Sequence, residues 1–333
     1  MDGFFVDYGG VGDLRKDLSE LRPAADAFFR DLGELHPHPS EFPEAAGDSM
    51  TRMSKHSAEA VTTAGLLRTE HDETTQKVHT ASRRYAEAED AGIAAASAVA
   101  VDHDAADRPK LSLWPLAKGS IMSAGTAVAS TAGVARAARL GRTSLGTLRM
   151  AGGLATVFNL AALTLIWLNY RDVKGWEERA LAAGELKESV GAHAESLGGA
   201  VRRSGDHLQG ETGDALRASM NSRSVASNGV LADAVGELSG YSSAAAEAQR
   251  RFNDRVNMVS NALMPISITA AYLLPPLQVA ASSIWLGCVL VFRNELKKEF
   301  EAAASHLTRT GELVELNDRL RRGATGRPSA VSV

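Results

Sequence analysis

The side chains that could do chemistry are few and scattered. His36-Pro37-His38 and Asp102-His103-Asp104 place metal-ligating types close together, yet each lies in a short polar stretch without a third spaced partner. Solvated loop histidines account for both. Gly9-Gly10-Val11-Gly12 has glycines but no preceding strand of the kind a phosphate-binding loop requires. Cys288, the single cysteine, sits in an apolar run where a thiol packs as a small hydrophobe. No Ser/His/Asp arrangement and no nucleophile elbow stands out. The expectation is a protein with no catalytic residues, no metal and no cofactor, and so not an enzyme. One pair remains. Tyr85 and Glu89 share a helix face, where a partner can read a phenol and a carboxylate together.

The elements that carry these residues read as helices. Leu14, Leu18, Leu21, Ala25, Phe28, Leu32 and Leu35 alternate spacings of four and three, a narrow coiled-coil-like seam. Prolines at 37 and 39 break it. The spacing resumes through Met50, Met53, Ser57, Ala60, Ala64, Leu67, His71, Thr74, Val78, Ala81, Tyr85 and Ala88, which predicts an antiparallel helical hairpin. Leu186, Val190, His193, Leu197, Ala200, Ser204 and Leu208 form another stripe. Leu231, Val235, Leu238, Ser242, Ala245, Gln249, Phe252, Val256 and Val259 form its partner, so the architecture repeats. Strand signals are nearly absent. The expected fold is all-α: two antiparallel helical hairpins in an elongated bundle, with apolar helical segments suited to membrane contact.

Charge and hydropathy narrow the function classes. The 333 residues include 36 Lys+Arg and 40 Asp+Glu, for a net charge of −4, and one Cys. A disulfide scaffold is excluded, and no basic block points to nucleic acid. Two runs hold no charge at all. The first, between Arg149 and Arg171, would extend roughly 31 Å as a helix, about the thickness of a bilayer core. The second, between Arg255 and Arg293, would extend about 55 Å, too long for one crossing. Pro275-Pro276 favours a break in its middle. Gly119 to Ala135 is uncharged but rich in small residues, better suited to close helix contact than to lipid. The four tryptophans, Trp114, Trp167, Trp176 and Trp285, fall near the ends of apolar segments, where a membrane interface and the edge of a core are both consistent. Arg136, Arg139, Arg142 and Arg149 form an acid-free basic stretch, read either as a cytoplasmic or headgroup-facing flank or as a solvated helix face.

The expected divisions are a helical hairpin at 1–95, a linker at 96–110, an apolar helical hairpin at 111–176 and a second hairpin at 177–260. An apolar segment broken at Pro275-Pro276 follows at 261–292, then a C-terminal helix at 293–322 and a flexible tail at 323–333. Leu154, Phe158, Leu165, Trp167, Leu277, Trp285 and Leu290 are the candidate membrane-contact residues.

Residues of both hairpins resemble the Trp-x-Gly family of type VII (ESX) secretion substrates and secretion-associated proteins of actinobacteria. The family's Tyr-x-x-x-Asp/Glu element is matched by Tyr85-Ala-Glu-Ala-Glu89. Phe42, followed by Ala45, Ala46 and Gly47, stands near the place of the family's bend tryptophan, and the Trp-x-Gly itself is missing there. In the second hairpin Leu208-Gln-Gly210 resembles the bend with Leu for Trp, while Tyr241 is followed by Ser242-Ser243-Ala244-Ala245 rather than by a spaced acid. The resemblance implies a non-enzymatic substrate or component of type VII secretion, with Tyr85 and Glu89 as secretion signal and Phe42, Leu208 and Gly210 at hairpin bends. It implies the secretion machinery or a helical protein as partner. The apolar runs add a possible membrane, and the heptad faces a second copy. Two alternatives stand beside it: an α-pore-forming or otherwise membrane-active toxin, and an integral membrane protein. Expected localisation, from the resemblance and the apolar runs, is secreted or membrane-associated without a cleavable signal peptide, Met1 to Phe5 leading into acidic, polar sequence.

Overall fold

The computed structural model describes residues 5–6, 8–100, 154–209, 211–273 and 275–324. It is an all-α helical bundle. Helices α1 (Tyr8–Glu34), α2 (Gly47–Ala100), α3 (Leu154–Asn169), α4 (Lys174–His207), α5 (Glu211–Met220), α6 (Ala226–Leu273), α7 (Pro275–Ala304) and α8 (Thr310–Ala324) follow in order. Phe5–Val6 and Leu208–Gln209 add a two-residue antiparallel pair.

α1 and α2 run antiparallel, with His71 bonded to the Leu18 carbonyl, Arg68 paired with Asp26 and His36 beside Ser57. The seam is the one the periodicity marks: Leu14, Leu18, Phe28, Leu32 and Leu35 are buried against a face that includes Met53, Ala60, Ala64 and Leu67. α4 and α6 form a second antiparallel pair, from Glu177 beside Arg250 to Gly198 against Val225 in the turn that leads into α6. The two pairs pack on each other through α1 and α4, where Phe28 meets His193 edge-on and Asp17 pairs with Arg203. α8 lies parallel to α2, bonded through His56–Thr310 and Thr63–Asn317.

The main core centres on Trp176, at the start of α4. Its ring meets Phe42 at 5.0 Å, Tyr241 at 6.0 Å and Phe300 at 6.0 Å, all edge-on, which suits the quadrupoles of aromatic rings. Phe42, in the connection between α1 and α2, is buried beneath that bend. The Tyr241 hydroxyl bonds Ser49 Oγ at 2.7 Å, and Ser49 donates to the Phe300 carbonyl, so the polar atoms among these rings are satisfied.

Several boundaries differ from those read in sequence. α2 remains helical through Ala100, past the expected start of the linker at 96. The rest of that linker, residues 111–153 of the expected apolar hairpin, Gly210 and most of the tail lie outside the described residues. α6 passes unbroken from the second hairpin into the apolar segment, because helix continuity does not depend on where side-chain charge stops. α7 likewise runs across 292, and the expected single C-terminal helix is two. The turn between them carries no glycine or proline. It is held by tertiary contact: Glu237 accepts the Thr308 hydroxyl and the Arg309 backbone N–H. Pro275 opens α7, a first-turn position where its missing N–H leaves no helical bond unmade.

Candidate functional site

Beyond Arg255 and before Arg293 the character of the surface changes. The last part of α6, the first part of α7 and all of α3 form an apolar arm with a small core of its own. Ala162, Trp285 and Val289 are buried in it, and Leu163, Leu165, Ile166, Val259, Leu263, Met264 and Leu286 pack around them. At 1.5 Å per residue each helix contributes about 24–27 Å of arm. In a polar-sided bundle the outer faces of such helices would carry Lys, Glu or Arg. Here they carry Val157 (60% exposed), Trp167 (62%) and Ile284 (56%), with Leu160, Ile266, Leu290 and Val291 also exposed. The segment Gln278–Ala304 is long and apolar enough to cross a membrane, and 28% of its most apolar window is buried.

Uncharged polar side chains lie on both sides: Thr164, Asn257, Asn261 and Ser283 are exposed, and others face inward. Asn159, Gln278 and Ser282 are buried, and Trp285 Nε1 donates to Ser260 Oγ at 3.3 Å. Asn159 Oδ1 has no hydrogen-bond partner. An uncharged, largely apolar outside with hydrogen-bonding groups inside suits helices surrounded by hydrocarbon, where interhelical hydrogen bonds hold neighbours together.

A polar collar ties the arm to the bundle. The Arg171 guanidinium, just past the end of α3, donates to the carbonyls of Ser40, Phe42, Trp167 and Tyr170. Asn169 is fully buried, accepting the Ala45 N–H at 2.8 Å through Oδ1. Its backbone carbonyl accepts Gln249 Nε2, which also reaches Asn253, and Asn253 donates to the Arg171 carbonyl. Arg293 makes a bidentate pair with Glu44 at 2.7 and 2.8 Å. That guanidinium holds the Glu44 carboxyl below the usual carboxylate range. Arg255 pairs with Glu295 and lies over the Phe292 ring at 5.9 Å. The charge-free stretch therefore ends, on each of its three helices, at an arginine fixed in place.

The candidate contact residues divide. Trp167 and Leu290 are exposed, Phe158 and Leu165 are half-buried, and Trp285, expected at the contact surface, lies in the arm's core. The side chains of Leu154 and Leu277 are outside the described residues. Val157, Leu160, Ile266, Ile284 and Val291 belong to the same surface and were missed, because a helix apolar on all sides carries no periodic signal of which face points out. Trp176 is not at an interface but at the centre of the bundle. Tyr85 and Glu89 lie in α2, and their side chains are outside the described residues, as is that of Leu208, whose backbone sits at the reversal between α4 and α5.

The groups able to do chemistry are engaged locally. His36 meets Ser57, and His38 caps the short turn at Pro39–Glu41 by accepting the Ser40 N–H. Cys288 is half-buried in the arm. His56 is buried between Thr310 and the Ala234 carbonyl, and burial pulls it below the ordinary histidine value. Among the described residues no three metal-ligating side chains converge. Asp102-His103-Asp104 lies outside them. Compared with family models, curated proteins and solved structures, the chain matches none.

Proposed function

We propose that this protein is a non-enzymatic, type VII secretion-associated helical protein that engages a membrane through its apolar arm. The observation that carries the membrane part is the change at the collar: outward side chains include many charges in the bundle, whereas the described ones along α3, late α6 and early α7 are uncharged and largely apolar. Burying even part of this surface in hydrocarbon is favourable at about 25 cal/mol per Å² of apolar area. Trp167 and Tyr170 stand at its base beside Arg171, the residue types that anchor a segment at the headgroup level. The secretion part is carried by Tyr85-Ala-Glu-Ala-Glu89 at the far end of the first hairpin. The partners that fit are a lipid bilayer for the arm and the secretion machinery or another helical chain for the hairpins.

The toxin alternative supposes apolar segments sheltered in a soluble bundle and later released. Exposure of Val157, Trp167, Ile284 and Val291 favours an arm already displayed. One experiment addresses both parts. The tagged chain is expressed in an actinobacterial host and measured in culture supernatant, soluble lysate and carbonate-washed membranes, beside Tyr85→Ala and Glu89→Ala. The expected result is washed-membrane or supernatant protein, with the supernatant share lost on either substitution. Protein confined to the soluble lysate would sink the membrane part, and a supernatant share indifferent to both substitutions would sink the secretion part.

A further inference from the structure

Where α1, α2 and α4 meet lies a partly open pocket of about 20 Å³, room for roughly one water. Ala25 and Phe28 of α1, Leu67 of α2 and Leu197 of α4 supply its apolar walls. Two histidines from different hairpins stand across it: His71 of α2 and His193 of α4, with ring centroids 6.1 Å apart. His71 uses Nε2 to donate to the Leu18 carbonyl at 2.8 Å. His193 is 5% exposed, its ring lies edge-on to Phe28 at 5.2 Å, and its Nδ1 has no hydrogen-bond partner. The charged and titratable groups facing it are Arg68 and His71, both from α2. From α6 and the turn before it the walls are Ser224, Asn228 and Leu231, and α1 contributes the Asp26 carboxylate, which is engaged by Arg68. No unpaired carboxylate faces His193 to compensate a second positive charge.

We propose that His193, buried opposite His71, is an acid-sensitive latch whose protonation undocks the α1–α2 hairpin from α4. Docked, the imidazole is neutral, and burial with a smaller contribution from His71 holds it down to about 4. Undocked, it meets water and takes a proton at the ordinary value of about 6.5. The docked form therefore keeps its full stability above about 6.5. It loses up to tenfold in its docking equilibrium per pH unit from there toward 4, roughly 300-fold in all. Glu70, the neighbour of His71 in sequence, faces Arg223 instead, and burial raises its carboxyl. Its protonation in the same range favours the docked form and is unaffected by substitution of His193. The latch does not depend on the membrane reading.

Hydrogen exchange on the intact chain between pH 7.5 and 4.5, corrected for intrinsic rates, tests it. Protection at residues 14–32 and 190–201 is expected to fall by more than tenfold, while protection at 238–252 holds. In His193→Leu, and in the always-neutral His193→Gln, it is expected to stay flat. Flat protection in the wild type, an equal loss at 238–252, or the same acid loss in both variants would overturn the latch. NMR of ¹³C-labelled histidine gives a variant-free check. A His193 titration near 6.5 in a chain that stays fully protected would also overturn it.

Discussion

Helix α6 passes through two surroundings without a break. Before Arg255 it buries Leu231, Val235, Leu238, Ala245 and Phe252 and shows charges to solvent, with Arg250 and Arg251 among them. After Arg255 it still buries one side, against Trp285 and α7, but its other side offers Met258 and Ile266. The same helical geometry thus carries two kinds of outer surface. In the bundle a polar face ends the protein at water. In the arm no charged side chain ends it, only apolar ones with uncharged Asn257, Asn261, Thr164 and Ser283 among them, while Asn159, Gln278 and Ser282 are buried. The difference teaches that the boundary between the two regions is set by side-chain chemistry at the collar, where Arg171, Arg255 and Arg293 are anchored, and not by any interruption of the backbone.

The comparison is broken most strongly from the bundle side. Trp176→Ala removes the ring on which Phe42, Tyr241 and Phe300 converge, and the partial collapse around the cavity is expected to cost about 3–5 kcal/mol, read as a lowered denaturation midpoint. An arm substitution should do the reverse. Ile284→Lys is expected to change unfolding free energy by less than about 0.5 kcal/mol. It should weaken vesicle binding by about 2.5–3.5 kcal/mol, because the lysine would face hydrocarbon. Flotation that is unchanged by the lysine would place Ile284 outside any lipid contact.

The collar separates the two responses more finely. Asn169→Leu leaves the buried Ala45 N–H without its acceptor, which is expected to cost about 1–3 kcal/mol by chemical denaturation and to loosen the foot of α3 in hydrogen exchange. The smallest effect belongs to the bundle's outer charges. Arg250→Ala removes exposed pairs with Glu177 and Glu247 and should alter stability by about 0–1 kcal/mol, with vesicle binding unchanged. A larger loss there would mean that the polar face does more than meet water.

What the sequence made legible follows from the same contrast. Amphipathic stripes announce their buried side, so the faces of α1, α2, α4 and the first part of α6 could be read in large part, from Leu14 and Leu18 to Leu238 and Phe252. The charge-free runs announce only that something apolar surrounds them. They could not say that Trp285 turns in while Trp167 turns out. The turn after Ala304 was hidden because its determinant, Glu237, is distant in sequence. His71 and His193 were visible only as members of two separate stripes, and their meeting depends on how the hairpins dock.

The most direct test of the proposal that the arm faces a membrane is quenching of tryptophan fluorescence by vesicles whose acyl chains are brominated, taken as the difference between the wild type and Trp167→Phe. The account predicts that the Trp167 contribution is quenched and blue-shifted on binding. A Trp167 signal that remains unquenched, with the emission of a water-exposed indole at saturating lipid, would contradict it.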